Sequence, residues 1–125
     1  MRNVLVFLAV AAALVYAGAC WLLHSQQREL IYYGWTTTVD AADTDFVLQR
    51  PDATLRGWVV NRGRPDPVLY FGGNAERIET HRDAFARLLP GRSVYLVAYR
   101  GYGASTGTPN EATLVPDALA VFDEI

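Results

Sequence analysis

An α/β domain carried behind a transmembrane helix is the architecture the sequence predicts, and three observations predict it. Residues 4 to 23, VLVFLAVAAALVYAGACWLL, contain no charged side chain, and roughly 20 such residues in a helix cross a ~30 Å hydrocarbon layer. PVLYF (67 to 71) and SVYLVAY (93 to 99) are apolar runs without polar alternation, as expected of strands covered on both faces. Between them Ile78, His81, Phe85, Leu88 and Leu89 recur at helical spacing until Pro90-Gly91. A strand, helix and strand in this compass form a βαβ unit, with parallel strands and a right-handed crossover.

The chain has 125 residues, about one ordinary domain, and the apolar N-terminus takes part of that. The expected division is an anchor over 1–25, a juxtamembrane linker over 26–43 and the α/β domain over 44–125. Ala17-Gly18-Ala19 has the form of a signal-peptidase site, and Cys20 after small residues resembles a lipoprotein acceptor. The apolar run continues through Trp21, Leu22 and Leu23, past the point of cleavage, which favours a retained single-pass anchor over a signal peptide's shorter hydrophobic region. Arg2 and the amino terminus precede the helix, whereas Arg28 beyond it is offset by Glu29. The positive-inside tendency therefore places the N-terminus in the cytoplasm and the domain across the membrane, with Trp21, Tyr32, Tyr33 and Trp35 at the interface.

Within the body, DFVLQ (45 to 49), the turn Arg50-Pro51-Asp52-Ala53 and TLRGWVVN (54 to 61) read as an antiparallel hairpin. Gly72-Gly73-Asn74-Ala75 joins the first buried strand to the helical pattern. At the other end, Pro109 and Asn110-Glu111 mark a helix-start region, and Pro116 suits the first turn of an amphipathic helix from Asp117 to Ile125.

Composition excludes several function classes. A net charge of -2 provides no basic field for a phosphate backbone, so nucleic acid is not expected as a partner. All 11 basic residues are arginine, so a Walker P-loop, a Schiff base and a Ser-Lys dyad are out of reach. Cys20 is the single cysteine, and His24 and His81 lie far apart; neither a disulfide nor a metal site is expected. No cofactor is expected either.

VLYFGGNAE (68 to 76) and YLVAYRGYGASTGTPNEA (95 to 112), behind an anchor and QQRELIYYG (26 to 34), carry a resemblance. Together these segments resemble the N-terminal half of membrane-anchored α/β-hydrolases, the Bem46-like and ABHD-type serine hydrolases. The resemblance covers nearly the whole chain. It implies the first strands and helices of an α/β-hydrolase fold, truncated before the nucleophile elbow. It also implies hydrolysis of a small-molecule ester, thioester or amide by the complete enzyme, and inactivity of this chain alone. By the same carry-over, the Asn74 backbone N–H contributes to the oxyanion hole, supported by Gly72 and Gly73, where glycine lets the backbone approach a substrate and a helix N-terminus adds positive potential. The family often carries histidine at the place of Gly72. A plain strand-to-helix turn is the other reading of this loop.

Gly103-Ala104-Ser105-Thr106-Gly107 spells G-x-S-x-G, yet its context is wrong for an elbow. Arg100 to Gly103 separate it from the preceding strand, Pro109 follows, and no histidine comes after Ser105, whereas the triad in this fold runs serine, acid, histidine. Ser105 reads as a loop or capping serine, and the chain holds no catalytic residue of its own. Gly101, Gly103 and Gly107 with Asp123 also resemble a dinucleotide-binding loop, at the wrong spacing. A naturally short, non-catalytic membrane protein is the alternative function. The strand order that the resemblance implies, with the third strand between the fourth and the fifth, would leave the edge at Val68 to Phe71 without a neighbouring strand and make it a site for self-association.

Overall fold

The computed structural model describes all residues from Met1 to Ile125, which fall into two compact units, Met1–Ile31 and Tyr32–Ile125. The first is a single helix, α1 (Arg2–Ile31), in which no residue is buried. Together with the turn that follows, it is long and apolar enough to cross a membrane, with a mean hydropathy of 2.3 in its most apolar window. The uncharged run ends at Leu23 while the helix continues to Ile31. Good helix formers in QQRELI sustain it without the apolar character.

The second unit is built on a four-stranded mixed sheet with strands β1 (Phe46–Arg50), β2 (Ala53–Val60), β3 (Val68–Phe71) and β4 (Val94–Val97). Their spatial order is β1-β2-β4-β3. The hairpin forms as expected, with Arg50 opposite Ala53 across Pro51-Asp52. β2 pairs antiparallel with β4, and β3 pairs parallel with β4, so the βαβ reading holds. β3 is an edge strand.

Alternation along β4 sorts the core into two halves. Val94 and Leu96 join Trp58, Ile78, Ala98 and Tyr102, with Tyr70 and Phe85 packed against them. Val97 meets Phe46, Leu55, Val59 and Val121, with Leu69 and Phe71 alongside. Helix α2 (Arg82–Leu88) therefore covers one face, and α3 (Glu111–Glu124) the other. Residues that point to opposite faces along a strand meet different layers.

Two helix expectations are corrected. The chain after Gly72-Gly73-Asn74-Ala75 does not enter a helix at once: it makes a turn, then a 3-10 segment (Ile78–His81), then the seven-residue α2. Asn74 is thus not at a helix N-terminus, and no helix dipole serves it. Leu88, on the helical pattern, is exposed. Helix α3 begins at Glu111, as the Asn110-Glu111 start signal predicts, with the Asn110 side chain accepting from Thr113 N–H as the cap; the expectation corrected is that Pro116 sits in its first turn with the helix running from Asp117. Pro116 consequently lies inside the helix and leaves one intrahelical donor missing.

The unit is tied together by a buried charge cluster. Arg100, 4% exposed, and Asp117, 3% exposed, face each other with Arg100 Nε to Asp117 Oδ2 at 2.6 Å and Nη2 to Oδ1 at 3.0 Å. Arg100 also holds Asp52 in the hairpin turn, with Nη1 to Oδ2 at 2.9 Å, and Arg50 Nε reaches Asp117 Oδ1 at 3.0 Å. Hydrogen bonds to Asp117 and Asp52 raise the Arg100 pKa further above its already high value. The Arg100 guanidinium in turn holds the exposed Asp52 carboxyl below its usual range.

Removing one member of such a pair leaves a buried charge uncompensated, at a cost of roughly 3–5 kcal/mol. Asp117→Ala is expected to lower the melting temperature of the full chain in detergent strongly, whereas the exposed Asp123→Ala is expected to change it little. Thermal denaturation followed by circular dichroism checks this.

Candidate functional site

At the carboxyl ends of β3 and β4, two loops converge, the place where open α/β sheets bind ligands. One is Gly72 to Glu76, and the other runs from Ala98 to Gly103; with Thr37, Ile78 and Glu79 they line a crevice whose free space, about 10 Å³, is that of a single water molecule. The expected site residues Gly72 and Gly73 line it, and Asn74 stands beside them in the same turn.

Gly73 and Glu76 close that turn, with Glu76 N–H to Gly73 C=O at 3.2 Å. Ala75 within it has φ 62°, a left-handed conformation that costs a residue with a Cβ roughly 1–2 kcal/mol. The strain is held by side chains on either side. The Glu76 carboxylate reaches back and accepts a short hydrogen bond from Gly73 N–H, the reciprocal contact of a capping box without the helix. The Asn74 Oδ1 accepts from Tyr102 OH at 2.7 Å and from Tyr33 N–H at 3.1 Å. Gly72 is glycine for a steric reason: a Cβ there would run into Ile78 Cγ2.

Glu76 is the electrostatic centre of the loop. Its Oε1 accepts from Tyr70 OH at 2.6 Å and lies 2.7 Å from His81 Nε2. The Tyr70 hydroxyl and the Gly73 amide hold the Glu76 carboxyl below its usual range. The same hydrogen bond to Glu76 pushes the Tyr70 hydroxyl up, and burial pushes up Tyr99 and Tyr102. His81, which the helical spacing groups with Ile78 and Phe85, meets Tyr70 and Phe85 edge-on and contacts the carboxylate as well. Glu76, Tyr70 and Tyr102 were not anticipated as parts of the site. The only signal for Glu76 was its position three residues after Gly73.

Ser105 lies in the loop after β4, outside this crevice. Its Oγ accepts from Arg56 N–H at 2.8 Å and donates to Ala98 C=O at 2.9 Å. Thr106 continues the same seam, its N–H donating to Thr54 C=O at 3.0 Å and its hydroxyl accepting from Thr54 N–H at 2.8 Å. The two residues therefore extend the β2 ladder beyond the end of β4. Gly101, Gly103 and Gly107 have φ of 74°, 57° and 86°, so the glycine spacing answers to the turns of this loop. The next helix begins only at Glu111, which removes the strand-glycine-helix context that dinucleotide binding needs.

No family model matches the chain. Among curated proteins, it is 37% identical over 119 residues to an uncharacterized protein of Mycobacterium tuberculosis, covering 86% of this chain and 42% of that one. It is 33% identical over 88 residues to the α/β-hydrolase domain-containing protein WAV2 of Arabidopsis thaliana, 65% of this chain and 28% of that protein. Against the lysophosphatidylserine lipase ABHD12 of Mus musculus the identity is 43% over 61 residues, 46% of this chain and 15% of the lipase. The chain thus spans less than half the length of the curated relatives it matches.

Replacing Ser105 by alanine strips a partner from a buried carbonyl and from a backbone N–H, at about 1–3 kcal/mol. Ser105→Ala is expected to lower the melting temperature, with Ser105→Thr recovering part of the loss. Thermal denaturation of both variants checks it. Through part of its length this chain is related to α/β-hydrolase domain proteins of the ABHD type, and its sheet, loops and apolar helix are those of a partial α/β fold.

Proposed function

We propose that the chain is the front portion of a membrane-anchored serine hydrolase, with the 72–74 loop supplying one oxyanion-hole donor through the Asn74 backbone N–H. The observation carrying this reading is the convergence of that loop with the Tyr99 to Gly103 loop at the carboxyl ends of adjacent parallel strands. Similarity to ABHD-type proteins over these same elements supports it. Acyl transfer requires an activated nucleophile as well as charge stabilisation, and no histidine follows Ser105 to activate one. The 125 residues by themselves are therefore inactive, and the nucleophile, acid and base belong to sequence after Ile125. Similarity to a lysophosphatidylserine lipase of mouse, with a helix suited to a bilayer, favours an acyl ester carried on a lipid among ester, thioester and amide substrates.

A specific observation favours a second reading, a non-catalytic protein that associates through its sheet. Leu69 and Phe71 on β3 and Leu114, Val115, Leu119 and Phe122 on α3 line an apolar groove of about 430 Å³ beside the open β3 edge. Edges of this kind pair with further strands.

Two measurements separate these readings. The coding frame read beyond Ile125 is expected to continue into a further strand, a second G-x-S-x-G, an acid and a histidine; a stop codon with a persistent membrane protein favours the second reading. The 125-residue chain is expected to remain unlabelled by a fluorophosphonate probe, and labelling that Ser105→Ala abolishes would overturn the assignment of Ser105 to the loop. From the positive-inside tendency we propose a cytoplasmic N-terminus with the domain on the far side of the membrane. Protease added to spheroplasts is expected to digest the C-terminal unit, and its protection would reverse the orientation.

A further inference from the structure

Glu76 stands between the loop and a titratable neighbour. One carboxylate oxygen accepts from Gly73 N–H, and the other faces Tyr70 OH and His81 Nε2. The carboxylate is 28% exposed and the imidazole 41% exposed, so the pair is open to protons while its hydrogen bonds stay directed. Glu76 thus holds Gly73 at both ends, its own N–H donating to Gly73 C=O at 3.2 Å and its carboxylate accepting from Gly73 N–H, and Ala75 between them is in a conformation that needs holding. We propose that Glu76 is the positioning residue of the Gly72-Gly73-Asn74 loop, and that its contact with His81 makes the hold on the Gly73 amide depend on pH.

The physical basis is the strength of a charge-assisted hydrogen bond. When His81 is neutral, its Nε2–H still donates to Glu76, but as a dipole. When protonated, it adds a full positive charge 2.7 Å from the carboxylate oxygen, drawing electron density toward Oε1 and weakening the share given to Gly73 through Oε2. Gly73 N–H therefore reports the charge on His81 through a single carboxylate. The other ionisable groups around Glu76 are Tyr70 on β3, Tyr99 and Tyr102 after β4, and Glu79 with its partner Arg77. Hydrogen bonding or burial pushes the three tyrosines up, and Arg77 Nε offsets Glu79 at 2.7 Å. Histidine is the side chain whose charge changes between about pH 5 and 8, and His81 is the histidine that faces the Glu76 carboxylate.

The consequence for catalysis rests on the hydrolase reading, because the loop holds an oxyanion donor only if that reading holds. The latch itself does not, and it can be measured without activity. Gly72-Gly73 is the only Gly-Gly pair in the chain, so glycine labelled with ¹³C at the carbonyl and ¹⁵N at the amide gives one carbonyl-to-amide correlation, that of Gly73. The full chain in detergent micelles is titrated from pH 8 to 5. The expected result is a Gly73 amide proton far downfield at pH 8 that moves upfield with the same midpoint as the His81 ring protons. Glu76→Gln is expected to shift the resonance upfield and abolish the inflection. His81→Gln, which retains a donor without a titrating charge, is expected to keep the downfield position and lose the inflection. A flat Gly73 resonance while the His81 ring titrates would overturn the proposal, as would an inflection that survives in His81→Gln. Retention of the resonances of the remote Gly57 and Gly107 confirms that each variant is folded. If the latch is confirmed while fluorophosphonate labelling and the coding frame both contradict the hydrolase, only the catalytic meaning of the loop falls.

Discussion

Arg100 is the constraint on which the second unit depends. A guanidinium that is 4% exposed is tolerable only when its donors are satisfied by charge, and here they are met by Asp117 from α3 and Asp52 from the hairpin turn. Three pieces of chain far apart in sequence are thereby fixed at one point. The planar fork of arginine suits two carboxylates at once, which a lysine ammonium would not. The position immediately after β4 also orients everything downstream. The chain turns away through Gly101 and Gly103 toward the crevice, and returns along β2 through Ser105 and Thr106.

The sheet explains why the two converging loops are adjacent. Parallel pairing of β3 with β4 puts both carboxyl ends on the same side, and a loop that leaves one meets a loop that leaves the other. The anchoring polar groups then come from three directions: Glu76 from within its own turn, Tyr102 from the neighbouring loop and the Tyr33 amide from the segment before β1. Strain at Ala75 is sustained because these contacts over-determine the turn. The β3 edge and the apolar stripe of α3 lie together at one flank of the sheet.

The loop sequences also show how a motif can be present for structural reasons. G-x-S-x-G is present here because two positions, Gly103 and Gly107, adopt left-handed backbone and one requires a small hydroxyl that can both donate and accept. Each demand is local to a turn that extends a ladder. None involves a nucleophile, and the pattern alone cannot tell the two situations apart.

The sequence by itself determined the apolar helix, the hairpin, the two buried strands with their parallel relation, and the place of Gly72-Gly73-Asn74 between a strand and a helical stretch. These are read from runs of like residues and from turn chemistry, signals that act over a few positions. It marked Asn110-Glu111 as a helix start but set Pro116 in the first turn, and it gave no sign that the turn at Gly73 delays the helix that the spacing suggested. Tertiary structure alone decided that Glu76 grips Gly73 and meets His81, that Tyr102 reaches Asn74, that Arg100 is buried between two carboxylates, and that Ser105 is spent on Arg56 and Ala98. Those partners are separated by intervals that no periodicity encodes, since side-chain hydrogen bonds and ion pairs depend on which backbones the sheet brings together.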